Sequence, residues 1–423
     1  MREMKDSGIS WVGEIPKEWS VNRAKYCFVN TKEIAGCMSD RYERLALTMN
    51  GVIKRSKDDS NGLQPEKFET YQILRPDELV FKLIDLQNVS TSRVGLSPYL
   101  GLVSPAYIIL KSNKRVLPAF AEKYFLMLWK NQIFNALGDA GVRSNLNSKD
   151  LLELSIPFPT FDEQQQIADF LDRECGKIDG LKADIQVQID TLEQYKRSVI
   201  TEAVTHGLNP SAPMKGSKVW YGQIPSEWKE LKGKYVFKQR NDRGNNVCLQ
   251  LLSPTQKYGV IPQDKYEELT GMNAVKLNDS TNYALLKTIH KGDYCISLRS
   301  FQGGFEYSEY EGVVSPAYQV FYPIITIADG YYKYLFKEKG FIDVMNSYTM
   351  SLRDGKNIAF DDFGDTFIPV PPLDEQQEIA DYLDNKCAEI EQIIEDKKSQ
   401  IETLDGYKKS LIYEYVTGKK EVG

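Results

Sequence analysis

The 423-residue chain predicts an α+β fold: two mixed α/β modules in tandem, each followed by a long helix. Three observations carry this. The stretch from Ile156 to Thr205 recurs from Ile368 to Thr417, with 26 of 50 positions identical, too many for chance. Apolar residues inside both copies alternate at spacings of four and three, the period of a helix seam. The regions between are rich in short Val, Ile, Tyr and Phe runs bounded by turns, which read as strands.

The repeat sets the domain plan. WVGEIPKEW (Trp11 to Trp19) matches WYGQIPSEW (Trp220 to Trp228), and Val103-Ser104-Pro105-Ala106-Tyr107 matches Val314-Ser315-Pro316-Ala317-Tyr318. The offsets, 209, 211 and 212, are each about half the chain, so one unit was duplicated. Solenoids repeat every ~20–50 residues, so this is no array. The expected domains are 1–155, a first module; 156–209, a helix and linker; 210–367, a second module; and 368–423, a second helix.

In the modules, Glu78 to Leu83, Leu102 to Leu110, Asp293 to Leu298 and Val313 to Phe321 are expected strands. Ala119 to Leu137 and Ala328 to Asn346 are expected helices. In the tails, Asp162 and Asp374 follow proline-bearing turns and are expected N-caps. The seam is read as Ile167, Leu171, Ile178, Leu181, Ile185, Leu192, Tyr195 and Val199, and as Ile379, Leu383, Ile390, Ile393, Leu404, Tyr407 and Leu411. Each helix would run roughly 66 Å at 1.5 Å per residue. Neither can bury its stripe alone; the natural partner is the other copy, and the alternative is burial of each helix by its own module.

Composition narrows the function. Six cysteines at 27, 37, 175, 248, 295 and 387 form no C-x-x-C pair, so neither a zinc knuckle nor a redox motif is expected. Their sparseness, an N-terminus without an apolar leader core and the lack of any 18-residue apolar run predict a reduced, cytoplasmic location away from membranes. No Walker A motif and no paired carboxylates of a metal nuclease are apparent. Only His206 and His290 could serve as histidine bases, and His206 opens a Gly/Pro/Ser linker as a helix end. No catalytic or metal site can be picked from these residues alone.

The paired GEIPKEW and GQIPSEW openings, the two VSPAY segments and the two IP-x-P…DEQQ-x-IA-D-x-LD helix starts resemble the specificity subunit of type I restriction-modification systems. The resemblance covers essentially the whole chain and implies no catalytic residue, metal or cofactor in it. It implies two target-recognition domains reading the halves of a split DNA target. It implies two helices packed antiparallel as a spacer, with pseudo-two-fold symmetry. It further implies two methyltransferase subunits as partners, which would hold S-adenosylmethionine and act on a flipped adenine, with restriction/translocase subunits in the full complex. Ser104-Pro105-Ala106-Tyr107 lacks the second proline of an amino-methyltransferase loop, so no methyltransferase site is expected here. The competing reading is a coiled-coil scaffold joining two protein-binding modules without DNA recognition.

Base edges are read by Arg, Lys, Asn, Gln, Ser and Thr. In the first module the candidates are Lys54, Arg55, Lys57, Arg93, Arg143 and Asn145. In the second they are Lys257, Tyr258, Arg299, Ser300, Gln302, Arg353 and Lys356. The formal net charge of −6 seems wrong for a DNA partner, but it is unevenly spread. The helical tails hold 12 Lys+Arg against 23 Asp+Glu, whereas the modules hold 41 against 36. The acidity therefore belongs to the helices.

Overall fold

The computed structural model describes residues 2–59, 67–86, 91–138, 145–218, 222–243, 249–272, 283–296, 304–348 and 358–423. Contacts divide the chain into two compact units, Met1–Gln186 with Lys398–Gly423, and Val187–Lys397. Each unit therefore holds one module, the first part of one long helix and the last part of the other.

The first unit packs two four-stranded sheets. One runs Gly51–Arg55, Arg44–Thr48, Gly101–Val103, Gln72–Leu74, with one parallel pairing between Arg44–Thr48 and Gly101–Val103. The other runs Phe28–Thr31, Ile108–Ser112, Glu78–Phe81, Val94–Leu96, all antiparallel. The second unit repeats the antiparallel sheet as Phe237–Arg240, Gln319–Pro323, Tyr294–Ile296, Phe305–Tyr307. In place of the other sheet it has two antiparallel pairs, the hairpin Leu252–Thr255 with Gly259–Pro262 and the non-consecutive pair Lys287–Ile289 with Gly312–Val314, linked by the parallel bridge Leu251–Val313. That crossing is tight in both units, because a Cβ at Gly101 would strike Leu45 and one at Gly312 would strike Leu252.

Of the expected strands, Glu78 to Leu83 is the strand Glu78–Phe81, and Asp293 to Leu298 is Tyr294–Ile296, the last two residues of that run lying outside the described ones. Leu102 to Leu110 is two strands, Gly101–Val103 and Ile108–Ser112, separated by the Ser-Pro-Ala-Tyr turn. Val313 to Phe321 is split in the same way into Gly312–Val314 and Gln319–Pro323. In each turn the serine hydroxyl takes the alanine N–H (Ser104 to Ala106, 3.3 Å; Ser315 to Ala317, 3.4 Å), local bonding that competes with a continuous strand. The first expected module helix breaks into Pro118–Lys130 and Ile133–Leu137 at Gln132, whose φ is +61°. The second breaks into Asp329–Leu335 and Lys339–Ser347.

The long helices are Phe161–His206 and Leu373–Val416. Asp162 and Asp374 lie in their first turns, not at the caps, and the Thr160 hydroxyl accepts the Glu163 N–H at 3.4 Å. Their pairing is antiparallel within each unit. In the first unit Lys182 meets Asp405 at 2.6 Å and Lys408 meets Asp179 at 2.6 Å. In the second Lys397 reaches Gln188 at 2.5 Å and Lys196 pairs with Glu391.

Half of the seam assignment is off by one residue. Leu171, Ile178, Leu383, Ile390 and Leu411 are buried, and Ile185, Leu192, Val199 and Leu404 half-buried. The alternate positions are Ala168, Cys175, Lys182, Ile189, Lys196 and Ala203, and in the second helix Ala380, Cys387, Ile394, Ile401 and Lys408. Leu181, Tyr195, Ile393 and Tyr407 stand outside, at 53%, 49%, 38% and 57% exposure. The error has a clear cause. Lysines 182, 196 and 408 lay their apolar stems in the seam and keep only their charged ends near water, so the pattern of apolar letters shifts by one. Ile167 and Ile379, one residue before Ala168 and Ala380, are buried in the module cores.

Candidate nucleic-acid interface

The repeated motifs build a scaffold. The Trp19 indole donates to the Glu163 carboxylate at 3.0 Å, and Trp228 donates to Glu375 at 2.8 Å. Each opening motif is thereby tied to the first turn of a long helix. The next residue, Gln164 or Gln376, is buried and bridges two segments. Gln164 accepts from the Leu117 N–H at 2.7 Å and donates to the Pro159 carbonyl at 3.1 Å. Gln376 accepts from Ala328 at 2.9 Å and donates to Pro371 at 2.9 Å. In the SPAY turns, Gln72 donates to the Tyr107 carbonyl at 2.8 Å and Lys287 to the Tyr318 carbonyl at 2.6 Å. Within DEQQ it is the Glu and the first Gln that hold the frame, while Asp162, Gln165 and the Pro-Ala of each SPAY turn are exposed.

The helix ends complete the modules. Val416 and Leu411 join the first module's core, and Tyr413 donates to the Val12 carbonyl at 3.1 Å. Ala203 and Val204 join the second module's core, and Tyr331 donates to the Val204 carbonyl at 2.8 Å. His206 is the last residue of its helix, as its linker context suggested.

The candidate DNA-facing residues fall into three groups. Lys54, Arg55 and Lys57 lie on or just after Gly51–Arg55. Lys54 pairs with Glu43 at 2.6 Å, Arg55 with Asp59 at 2.8 Å, and Lys57 donates to the Ser39 carbonyl at 2.8 Å. Lys257 and Tyr258 occupy the turn of the equivalent hairpin, Leu252–Thr255 with Gly259–Pro262. The Tyr258 hydroxyl raises the Lys257 pKa, and Glu395 and Glu391 of the second long helix add to the shift. Arg93 and Asn145 converge on Asp85: Arg93 donates to its carbonyl at 2.6 Å and the Asn145 side chain accepts its N–H at 3.1 Å.

Arg93 is the clear correction. It is 0% exposed, and burial lowers its pKa, so it props the loop from inside and cannot meet a base edge in this conformation. Asn145 is exposed beside a cleft of about 260 Å³ lined by Asn30, Lys32, Gln72, Ile84, Tyr107 and Asn147. Arg143, Arg299, Ser300, Gln302, Arg353 and Lys356 lie outside the described residues. One matched set escaped the sequence reading: Arg23-Ala24-Lys25-Tyr26 and Lys232-Gly233-Lys234-Tyr235, again at offset 209.

Two modules of one plan, with shared scaffold motifs and differing loops, define a duplicated two-module protein with two long helices. The model of the type I restriction modification DNA specificity domain matches residues 84–190 and 224–403, more than half of the chain, so the chain belongs to that family. Its two modules recognise DNA sequence. It is similar to a putative type I restriction enzyme specificity subunit, MjaX, of Methanocaldococcus jannaschii, with 23% identity over 97% of this chain and 96% of that protein. The MjaVIII specificity subunit of the same organism is 24% identical over 76% of this chain and 75% of that protein. A solved chain from a study of complex assembly and conformational transition of the type I R-M system shares the fold. Its TM-score is 0.69 and its identity 13%, over 96% of this chain and 99% of that one.

Proposed function

We propose that the chain is a non-catalytic specificity subunit that reads a bipartite target in double-stranded DNA, one half-site per module, and recruits two methyltransferase subunits. S-adenosylmethionine and the methyl-transfer chemistry belong to those partners, and restriction/translocase subunits join through them. Such a complex works on cytoplasmic DNA. Among the described residues no helix is long and apolar enough to cross a membrane, and no group of three or more potential metal ligands occurs.

One observation carries the docking half of this reading. Leu181 and Tyr407 stand exposed at one level of the helix pair in the first unit, between the Asp179–Lys408 and Lys182–Asp405 pairs. Tyr195 and Ile393 stand exposed beside the Lys196–Glu391 pair in the second. An aliphatic residue with a tyrosine, presented once per unit by the duplicated helices, suits two copies of one partner, since Tyr is a frequent anchor at interfaces. The test is methylome sequencing of cells carrying this chain with its modification subunits. A split motif with a fixed unspecified gap supports the proposal, and a continuous motif or none overturns it.

A further inference from the structure

We infer that each module carries, apart from its sequence-reading loops, a matched cation–cation–tyrosine patch that grips the DNA backbone phosphates of its half-site. The inference rests on the DNA-reading function proposed above and adds to it a sequence-independent contact.

The patch is built from Arg23, Lys25 and Tyr26 in the first unit and from Lys232, Lys234 and Tyr235 in the second. Their neighbours Ala24, Cys27 and Phe28, and Gly233, Val236 and Phe237, are buried, so the core explains why small or apolar residues stand there in both copies. It does not explain the others. Tyr26 is 55% exposed and Tyr235 60% exposed. Lys25 lies 5.5 Å from the Tyr26 ring centroid and Lys234 5.9 Å from that of Tyr235.

One carboxylate organises each patch. Arg23 and Lys25 meet Glu153 at 2.5 and 2.8 Å. Lys232 and Lys234 meet Asp365 at 3.0 and 2.9 Å. Glu153 ends the short helix Ser148–Glu153 and Asp365 ends Phe360–Asp365, at the same place before the IP-x-P strand. The lysines hydrogen-bond to both carboxylates and hold their pKa values below the usual range, Arg23 joining Lys25 at Glu153. Exposed ion pairs of this kind add too little to stability to explain why the set recurs.

The geometry suits a phosphate. Two cations outnumber one carboxylate, and each retains N–H donors beyond those given to it. A tyrosine hydroxyl is a further phosphate donor. The modules differ where they read bases, so a surface kept in both must meet something common to both half-sites, and the sugar–phosphate backbone is common to any sequence. The competing ligand is a face of the modification subunit, and the experiment separates the two.

The full chain, assembled with its modification subunits, is titrated with cognate and scrambled duplexes across a salt series. The variants are Arg23→Gln with Lys25→Gln, Lys232→Gln with Lys234→Gln, and Tyr26→Phe with Tyr235→Phe. Each cationic double variant should weaken both duplexes by the same factor, about tenfold, and lower the salt slope by about 0.9 for each phosphate released. The tyrosine pair should give a smaller, equally sequence-blind loss. An unchanged slope, a loss confined to the cognate duplex, or intact DNA binding with failed assembly each overturns the phosphate assignment. In all three cases the split target mapped by methylation still stands or falls on its own.

Discussion

The Trp19 indole N–H donates to the Glu163 carboxylate at 3.0 Å, joining the opening motif of the chain to the first turn of a helix that begins 142 residues later. Trp228 and Glu375 repeat the bond at 2.8 Å. Both indoles are buried, so losing the acceptor strands an N–H. Glu375→Ala should cost about 1–3 kcal/mol, and Glu375→Gln, which keeps an acceptor, much less. Denaturant unfolding of the two variants checks this, and equal losses would show that the bond is incidental.

The helix register gives a second prediction. Ile189 is buried in the seam, and Leu181 is exposed although both are apolar and eight residues apart. Ile189→Ala should cost about 2–5 kcal/mol. Leu181→Ala should fall within about 0.5 kcal/mol in stability while weakening assembly with the modification subunit. Thermal melts with size-exclusion chromatography of the mixed subunits separate the two effects.

The fold class, the duplication and the helical tails are legible because each rests on a signal longer than any single residue. Twenty-six identities in 50 positions survive local noise. The seam was only half legible, since Lys182, Lys196 and Lys408 read as polar letters but act through their stems. Arg93 was misread for the opposite reason: a basic letter beside an apolar strand says nothing of whether the carbonyl of Asp85 waits for it inside. The Arg23 and Lys232 patches were legible as a repeat but hidden among stronger motifs. What separates them from the core residues of the same hexapeptide is burial, which six letters do not show.

Arg93 should accordingly behave as a structural residue. Arg93→Gln removes a buried donor to the Asp85 carbonyl and should destabilise the first unit by about 1–3 kcal/mol. Hydrogen exchange of residues 83–86 should rise, and any loss of DNA binding should track the unfolded fraction. A changed base preference in a fully folded variant would return Arg93 to the reading surface.

Glu306 supplies a pH dependence. It is buried beside Cys295 on the paired strand and meets Lys337 at 2.6 Å. Burial outweighs that lysine and pushes its pKa up to about 7. The folded state therefore holds a proton that the unfolded chain releases near pH 4.5, so stability is highest below that value and falls as pH rises to about 7. The loss is at most about 3 kcal/mol. Glu306→Gln should flatten this stretch of the stability–pH curve, and unfolding at pH 5, 6, 7 and 8 would show it. An unchanged slope would assign the dependence to another group.

The proposed function makes the antiparallel helices a spacer, which predicts how the gap between the proposed half-sites can be changed. The units divide at Gln186 in one helix and at Lys397 in the other. Seven residues added in only one helix would leave its seam without a partner, and the extra turns would have to loop out. Matched heptads, one after Gln186 and one after Lys397, keep Lys182 against Asp405 and Lys196 against Glu391 while lengthening both helices by about 10 Å at 1.5 Å per residue. At 3.4 Å per base pair this is about three base pairs. Methylation mapping should then show both half-sites unchanged and the gap about three base pairs wider for the matched insertion. The single insertion should give the original gap or an unfolded chain. If the matched insertion leaves the gap as it was, the helices do not set the spacing, and the connection between module and helix must do so instead.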